Sequence, residues 1–212
     1  MDTASRSPRI SLGILGRTPA PQQCKRRLAK TLGEDEALRI YQLLFRHTLR
    51  CAHYAHQSRP SLRPTLWYLG DRPTDYLNDF LHFEAIPQPG TDFAANMQAV
   101  IDRAADPAFC GALLIGTDHP ELQPEHLVAA ADALQHSDVW LAPTEDGGFW
   151  GLATRVPLPG IFAHMPFSVP TVFDELRQRI AARAHSLQVG PLLFDVDTAD
   201  DWQRVSEKSL FR

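Results

Sequence analysis

Cysteine is scarce in this chain. Cys24, Cys51 and Cys110 are the only three in 212 residues, and none has metal-ligand spacing. An odd, sparse count fits a reducing compartment better than a disulfide framework. Long apolar runs are also missing: none approaches the ~18 to 20 residues that cross a bilayer, and the opening MDTASRSPRI lacks the apolar core of a secretion signal. Nor is there an excess of basic residues. Lys and Arg number 21 against 25 Asp and Glu, for a net charge of −4 and a pI near 6.1. Such a balance does not suit a protein that coats nucleic acid or an anionic membrane, so neither is expected as a partner, and any anion site must be local. No serine is flanked by glycines as in a nucleophile elbow, and no reactive-cysteine signature occurs. The nine histidines are dispersed; His53 and His56 beside Cys51 read as exposed helix surface rather than a metal centre. Internal repeats and low-complexity tracts are absent. A cytoplasmic protein is expected.

The 44% apolar content suffices for one sizeable core, so residues 9–212 are read as a single domain behind a frayed tail at 1–8. ISLGILGR (10–17) has the character of a buried strand, and TPAPQQCKRRLAK after it reads as a loop, its prolines blocking helix formation. Apolar residues at three- and four-residue steps predict a helix from Glu34 to about Gln57. TLWYLG (65–70) is a second strand, PTDYLNDFL a short helix, HFEAIPQ a third strand, and 92–105 a helix with Asp92 as N-cap. FCGALLIGTD is the clearest strand, followed by a helix over 123–135 and a strand over 138–145. DGGFWGLATR follows with a turn and another strand but no helix between, which predicts one antiparallel member. RVPLPGIF (155–162) is a long loop, 170–184 a helix, SLQVGPLLFDVDT a strand region, and ADDWQRVSEK a closing helix capped by Thr198 or Asp197. Such alternation argues for a mostly parallel sheet with helices on both faces.

Within that frame Asp118 stands out, because it ends an apolar run that otherwise belongs to a dry layer. Ligands of open parallel sheets gather at the carboxyl ends of the strands. A carboxylate held there suits a divalent ion carrying phosphates, since Mg²⁺ commonly takes only one or two protein carboxylates; Asp118 could equally cap the turn before the next helix. Glu145 and Asp146 precede Gly147 and Gly148, which either let backbone approach a ligand or supply the positive φ of a turn. Asp195 and Asp197 alternate along the late strand region, facing one side, while Asp200 and Asp201 complement a helix dipole. Arg17, Lys25, Arg26, Arg27 and Lys30 follow the first strand with no acid among them. That location favours phosphate binding over a merely solvated charged face.

In order and spacing, RTPAPQQCKRRLAKTLGEDEA, QPGTDFAANM, LLIGTDHPEL, APTEDGGFWGL, FAHMPFSVPTVF and DVDTADDW resemble the bacterial DUF2064 family of the glycosyltransferase A superfamily, also called nucleotide-diphospho-sugar transferases. GTDHP also looks like the metal-binding corner of molybdenum cofactor guanylyltransferases and phospholactate guanylyltransferases, which share the fold. The resemblance implies an α/β fold: a Rossmann-like three-layer α/β/α sandwich around a mostly parallel sheet of about seven strands. It further implies Mg²⁺ or Mn²⁺ dependence and a nucleotide or nucleotide sugar bound at the strand ends. By position it makes Asp118 the metal ligand, Asp118 and Asp146 the catalytic acids, and Arg17, Lys25, Arg27, Gly116 and Thr117 the nucleotide and phosphate contacts. Gly147, Gly148, Trp150 and Asp197 face the substrate, Trp150 stacking on a base or sugar. Departures from the family pattern are Arg17 for a lysine, Gln22 for a glycine, Arg26 for a threonine, Asn96 for an arginine expected to face phosphate, and Phe167-Ser168 for Trp-Ser. The expected activity is metal-dependent glycosyl transfer to a small-molecule acceptor. The alternatives are nucleotidyl transfer from a nucleoside triphosphate to a phosphorylated small molecule, and a degenerate nucleotide-binding module without turnover, motivated by Gln22, Arg26 and Asn96. Base, sugar, acceptor and oligomeric state are left open by the sequence.

Overall fold

The computed structural model describes residues 8–167, 169–208 and 211. The expected tail lies outside the described residues except for Pro8, and so does Ser168 of the departed Trp-Ser pair.

Seven strands form one sheet: β1 (Ile10–Arg17), β2 (Leu62–Leu69), β3 (Glu84–Pro87), β4 (Gly111–Ile115), β5 (Val139–Pro143), β6 (Phe149–Thr154) and β7 (Leu187–Val189). They lie in the order β3-β2-β1-β4-β6-β5-β7. Every pairing is parallel except those of β6, which runs antiparallel to both β4 and β5. The expected seven-stranded sheet with one antiparallel member is borne out. The physical reason is legible in the chain: only β5 and β6 are joined by a short turn, which must reverse direction, whereas each parallel return needs a crossover.

Strand residues are apolar without interruption because both faces are covered. Along β1, Ile10, Leu12 and Ile14 face one core with Tyr41, Phe45 and Leu49 of α2 (Glu34–Ser58) and Leu127 and Ala130 of α5 (Pro124–Ala133). Leu15 faces a second core with Met97 and Val100 of α4 (Phe93–Ile101) and with Leu176 and Ile180 of α6 (Val172–Ala182). The same alternation splits Leu113 and Ile115 of β4 from Leu114. A third cluster joins α1 (Arg26–Leu32), α2 and α7 (Ala199–Glu207) through Leu28, Ile40, Leu44 and Val205. The remaining helix, α3, is the short Thr74–Leu77.

Two expectations need correction. Residues 18–30 are expected as loop, yet from Arg26 onward the chain forms α1. Lys25 precedes it in the left-handed region without a side-chain cap, and its first turn holds no acid, so none of the usual start signals is present. The late strand region contracts to Leu187–Val189 plus one isolated bridge from Leu193 to Thr144. Gly190 breaks it by bringing backbone against the Trp140 indole, where an added Cβ would stand 2.2 Å from Cζ2, and Pro191 follows with no N–H to donate. Predicted caps hold elsewhere: Asp92 accepts from the Ala95 amide at 2.7 Å, and Thr198 forms a reciprocal capping box with Asp201. Among the described residues no helix is long and apolar enough to cross a membrane.

Candidate functional site

Parallel topology brings the carboxyl ends of β1, β2, β4 and β5, and the amino end of β6, to one edge of the sheet. Two cavities open there. The first, about 420 Å³, is lined by Arg17, Gln23, Lys25, Arg26, Arg27, Tyr41, Gln88, Thr117, Asp118 and Asp197, among others. The second, about 340 Å³, is lined by Gly116, Thr117, Asp118, His119, Asp146, Gly148, Trp150, Asp195 and Asp197 together with an apolar wall. Leu15, Phe93, Thr117, Asp118 and Asp197 are common to both. The acid at the end of β4 and the cations after β1 therefore share one cleft.

The tie between them is Lys25. Its side chain, 6% exposed, places Nζ 2.9 Å from Asp118 Oδ1 and 3.0 Å from Asp197 Oδ1, across a sequence separation of 172 residues in the second case. Burial pulls the ammonium's pKa down, but the two carboxylates outweigh it and hold it above the usual lysine value. Asp197 is lowered: burial alone would raise it, and Lys25 chiefly, then Arg27 at 3.5 Å, reverse the sign. Asp118 Oδ1 faces the ammonium without hydrogen-bond geometry and has no other donor, so a buried carboxylate oxygen at this corner is only coulombically satisfied. The contact to Asp197 is a hydrogen bond as well as an ion pair.

Thr117 is fixed from the other side. Tyr41 donates its hydroxyl proton to the Arg17 carbonyl at 2.8 Å and accepts the Arg17 amide, which leaves Thr117 Oγ1 to donate to it at 3.3 Å. Burial, then the charge of Asp118, pushes the Tyr41 phenol far up, so it stays a neutral strut. Among the described residues the Arg17 guanidinium reaches only Gln23 Oε1, at 3.5 Å, and it lines the first cavity.

On the acidic side, Asp146 Oδ1 accepts from Thr144 Oγ1 at 2.5 Å and from the Gly148 amide at 2.9 Å, the geometry of a turn that also orients the carboxylate. Gly147 does not line either cavity. At φ 87° its Cα faces Pro170, whose carbonyl oxygen would lie 2.1 Å from an added Cβ, and its own carbonyl accepts from the Phe173 amide. Its lack of a side chain lets the backbone at Pro170 and Phe173 approach the β5–β6 turn. Asp195 and Asp197 both line the second cavity as expected, but from an extended segment rather than a strand. Burial pushes the Asp195 carboxyl up to about 6, with help from the charges of Asp146 and Asp197.

Trp150 also departs from expectation. It is 1% exposed, its indole N–H donates to the Pro191 carbonyl at 2.8 Å, and it packs edge-on against Trp140. It is a wall, not a free face for stacking. Asn96, read as a lost phosphate contact, is 2% exposed and spends its amide on Gln88 Oε1 and on Gly90 O and N. Gln22, in place of the family glycine, sits at φ 60° and so keeps the backbone shape that glycine would supply. His53 and His56 are half-buried and pack against His82 rather than lying on open helix surface.

Sequence reasoning missed Tyr41, Gln88 and His119. His119 is 6% exposed, its ring held neutral chiefly by burial, and it contacts the Phe194 carbonyl at 3.4 Å. Its position directly after Asp118 was the available signal; Tyr41 and Gln88 had none, because their roles depend on what folds against them. Among the described residues no three His, Cys, Asp or Glu side chains form a ready metal cluster. The carboxylates of Asp118 and Asp197 converge on one point, now held by the Lys25 ammonium at 2.9 and 3.0 Å, and that pair suits a hard divalent cation that displaces the ammonium and completes its shell with water and phosphate oxygens.

Solved structures with the same fold include a candidate nucleotide-diphospho-sugar transferase from Desulfovibrio desulfuricans G20, 22% identical with a TM-score of 0.77 over 91% of this chain and 84% of that one. Rv0371c from Mycobacterium tuberculosis H37Rv is 19% identical with a TM-score of 0.58, over 95% of this chain and 100% of that one. The 4-diphosphocytidyl-2C-methyl-D-erythritol synthase of Anaerococcus prevotii DSM 20548 is 12% identical with a TM-score of 0.57, over 95% and 98%. At these identities the likeness is one of fold. No curated protein matches the sequence. Residues 52–169, which carry Gly116, Thr117, Asp118 and the Asp146 to Trp150 corner, match DUF2064, described as an uncharacterized protein conserved in bacteria, and the chain belongs to that family.

Proposed function

We propose that the protein is a divalent-metal-dependent transferase that takes a nucleotide-diphospho-sugar as donor and passes the sugar to a small-molecule acceptor. One observation carries this reading: a basic cavity and an acidic, partly apolar cavity meet at a wall containing Thr117, Asp118 and Asp197. A diphosphate fits the first and a hydroxylated acceptor the second, with the bond to be broken at their junction.

Arg17, Lys25 and Arg27 hold the diphosphate and stabilise the charge that grows on the leaving nucleotide. Asp118, with Asp197 beside it, would hold Mg²⁺ or Mn²⁺, which when bound neutralises phosphate charge. The fold neighbour Rv0371c has also been crystallised as a complex with manganese. The acceptor oxygen bonds to the anomeric carbon as the bond to the phosphate oxygen breaks; nucleoside diphosphate leaves, and the acceptor's proton passes to a carboxylate. Asp146 orients the acceptor through its fixed turn. Asp195, whose carboxyl burial raises to about 6, is poised to take that proton near neutral pH.

Calorimetry tests the donor side: nucleoside diphosphate binding that depends on Mg²⁺ or Mn²⁺ in the native protein is expected to vanish in Asp118→Asn. Binding that survives unchanged in that variant sinks the assignment. Nucleotidyl transfer is the second reading, favoured by fold neighbours that handle cytidine nucleotides, among them a CMP-2-keto-3-deoxy-manno-octonic acid synthetase complexed with CTP. Pyrophosphate released from a triphosphate would select it; nucleoside diphosphate released from a sugar donor selects glycosyl transfer. A module without turnover loses its motivation at Gln22 and Asn96, one preserving the loop's shape and the other serving the fold.

A further inference from the structure

The second cavity has two unlike walls. Phe93, Met97, Phe149, Phe167 and Val172 make one of them apolar. Asp118, Asp146, Asp195 and Asp197 make the other acidic, and no lysine or arginine is among its described lining residues. The cations of the cleft, Arg17, Lys25, Arg26 and Arg27, line the first cavity instead. Lys25, the one whose ammonium reaches the shared wall, is already engaged by Asp118 and Asp197. Among the described residues Asp146 and Asp195 form no ion pair, although both line a partly apolar pocket.

We infer that this cavity takes an acceptor with an apolar body and a neutral or cationic polar head, an aromatic or aliphatic alcohol or amine, and that it excludes phosphorylated acceptors. The inference rests on the transferase reading and narrows it. A phosphate monoester carries between one and two negative charges near neutral pH. In this cavity it would meet carboxylates at close range with no arginine fork or lysine to offset them, and like-charge juxtaposition inside a partly dry site is a strong means of rejecting a ligand. A hydroxyl or ammonium instead finds acceptors in the same carboxylates, while a ring or alkyl chain covers Met97 and the phenylalanines. The volume of about 340 Å³ is at the small end of ligand pockets and suits a single ring with a short arm. The charge arrangement also weighs against nucleotidyl transfer to a sugar phosphate, because that acceptor would have to place its phosphate on the acidic wall.

Methionine-methyl NMR on the full chain provides the test. Met97 lines the cavity, whereas Met165, buried in the same apolar cluster, is not among its lining residues, so one methyl reports and the other is a control; Met97→Leu assigns the signal. The probes are 2-phenylethanol, 2-phenylethylamine and phenyl phosphate. The alcohol and the amine are expected to shift the Met97 methyl to saturation, and phenyl phosphate to need at least about tenfold higher concentration. In the double variant Asp146→Asn, Asp195→Asn the amine is expected to weaken and the phosphate to strengthen, closing the gap. Phenyl phosphate titrating Met97 as well as the alcohol does, a gap unchanged in the double variant, or no response to any of the three would each overturn the inference. Donor binding is measured separately by calorimetry with Mg²⁺. Its failure with the Met97 pattern intact would remove the proposed donor and leave the selectivity of this cavity standing.

Discussion

The cavity at the end of β1 and the cavity at the mouth of the β5–β6 turn share Leu15, Phe93, Thr117, Asp118 and Asp197, yet the first gathers Arg17, Lys25, Arg26 and Arg27 while the second gathers Asp146 and Asp195 beside a phenylalanine-rich wall. The basic half hangs on a loop with two non-glycine residues at positive φ, Gln22 and Lys25. The acidic half hangs on a hairpin turn braced by a glycine that nothing larger can replace. A molecule with net charge −4 thus keeps a cationic pocket by grouping Arg17, Lys25, Arg26 and Arg27 around the β1–α1 connection and pinning that connection to distant acids through Lys25. The contrast teaches that the shared wall does the separating: its carboxylates, Asp118 and Asp197, are engaged by Lys25, while Asp146 and Asp195 beyond it are not paired with a cation among the described residues.

The largest way to break that contrast is Gly147→Ala. A methyl 2.1 Å from the Pro170 carbonyl oxygen, at φ 87°, combines a backbone clash with left-handed strain, for about 3 kcal/mol of destabilisation by urea denaturation. Because the clash lifts the segment that bears Val172, acceptor-side binding should suffer while metal-dependent nucleotide binding at the basic half persists. Lys25→Ala comes next. It leaves Asp118 and Asp197 facing each other without their common cation, and since both are more than a third exposed, about 2 kcal/mol is expected rather than the full cost of a buried unpaired charge. The same substitution should tighten Mn²⁺ binding measured with no nucleotide present, because the metal no longer competes with an ammonium. Weaker Mn²⁺ binding in that variant would mean that the two carboxylates are not the metal's ligands.

A third prediction isolates the acidic half by pH. The Asp195 carboxyl is raised from 3.8 to about 6 in the folded protein, chiefly by burial. Between those values the folded state holds a proton that the unfolded chain has released, so stability contributed at this residue falls as pH rises through the window and the full penalty stands above it. Asp195→Asn removes the penalty. The variant should match the native protein near pH 4 and exceed it above pH 6, by about 1 kcal/mol once solvent screening of a half-buried group is allowed for. Thermal melts across pH 4 to 7.5 check this, and parallel curves for the two proteins would refute it.

Most of the fold was legible because buried parallel strands announce themselves as apolar runs and the helices between them by their period; β1, β4 and α2 were read within a few residues of their bounds. The antiparallel β6 followed from the missing crossover. What failed had local causes: α1 begins on an uncapped left-handed lysine, and β7 is cut short where Gly190 meets Trp140. In the site, strand-end position was enough to single out Asp118 and the β1 loop. That Lys25 bridges two acids far apart in the chain, that Asn96 belongs to a Gln88 network, and that Trp150 is sealed by Pro191 are facts of register and packing that no spacing in the sequence encodes.

The smallest effect tests the basic half's loop. Gln22 occupies the left-handed region, where a side chain costs roughly 1–2 kcal/mol relative to glycine. Glycine is also the freer residue in the unfolded chain, which takes back about 0.5–1 kcal/mol. Gln22→Gly should therefore stabilise by about 0.5 kcal/mol, a rise of about 1–2 °C in Tm for a chain of this size. Gln22→Ala keeps the Cβ and should leave Tm nearly unchanged, so the pair of variants separates backbone relief from loss of the glutamine side chain. Equal gains in both would place the strain elsewhere in the loop. A gain confined to glycine would mean that this chain holds the loop beside the basic cavity in shape against a local conformational cost, which the acidic half, with glycine at its own tight turn, does not bear.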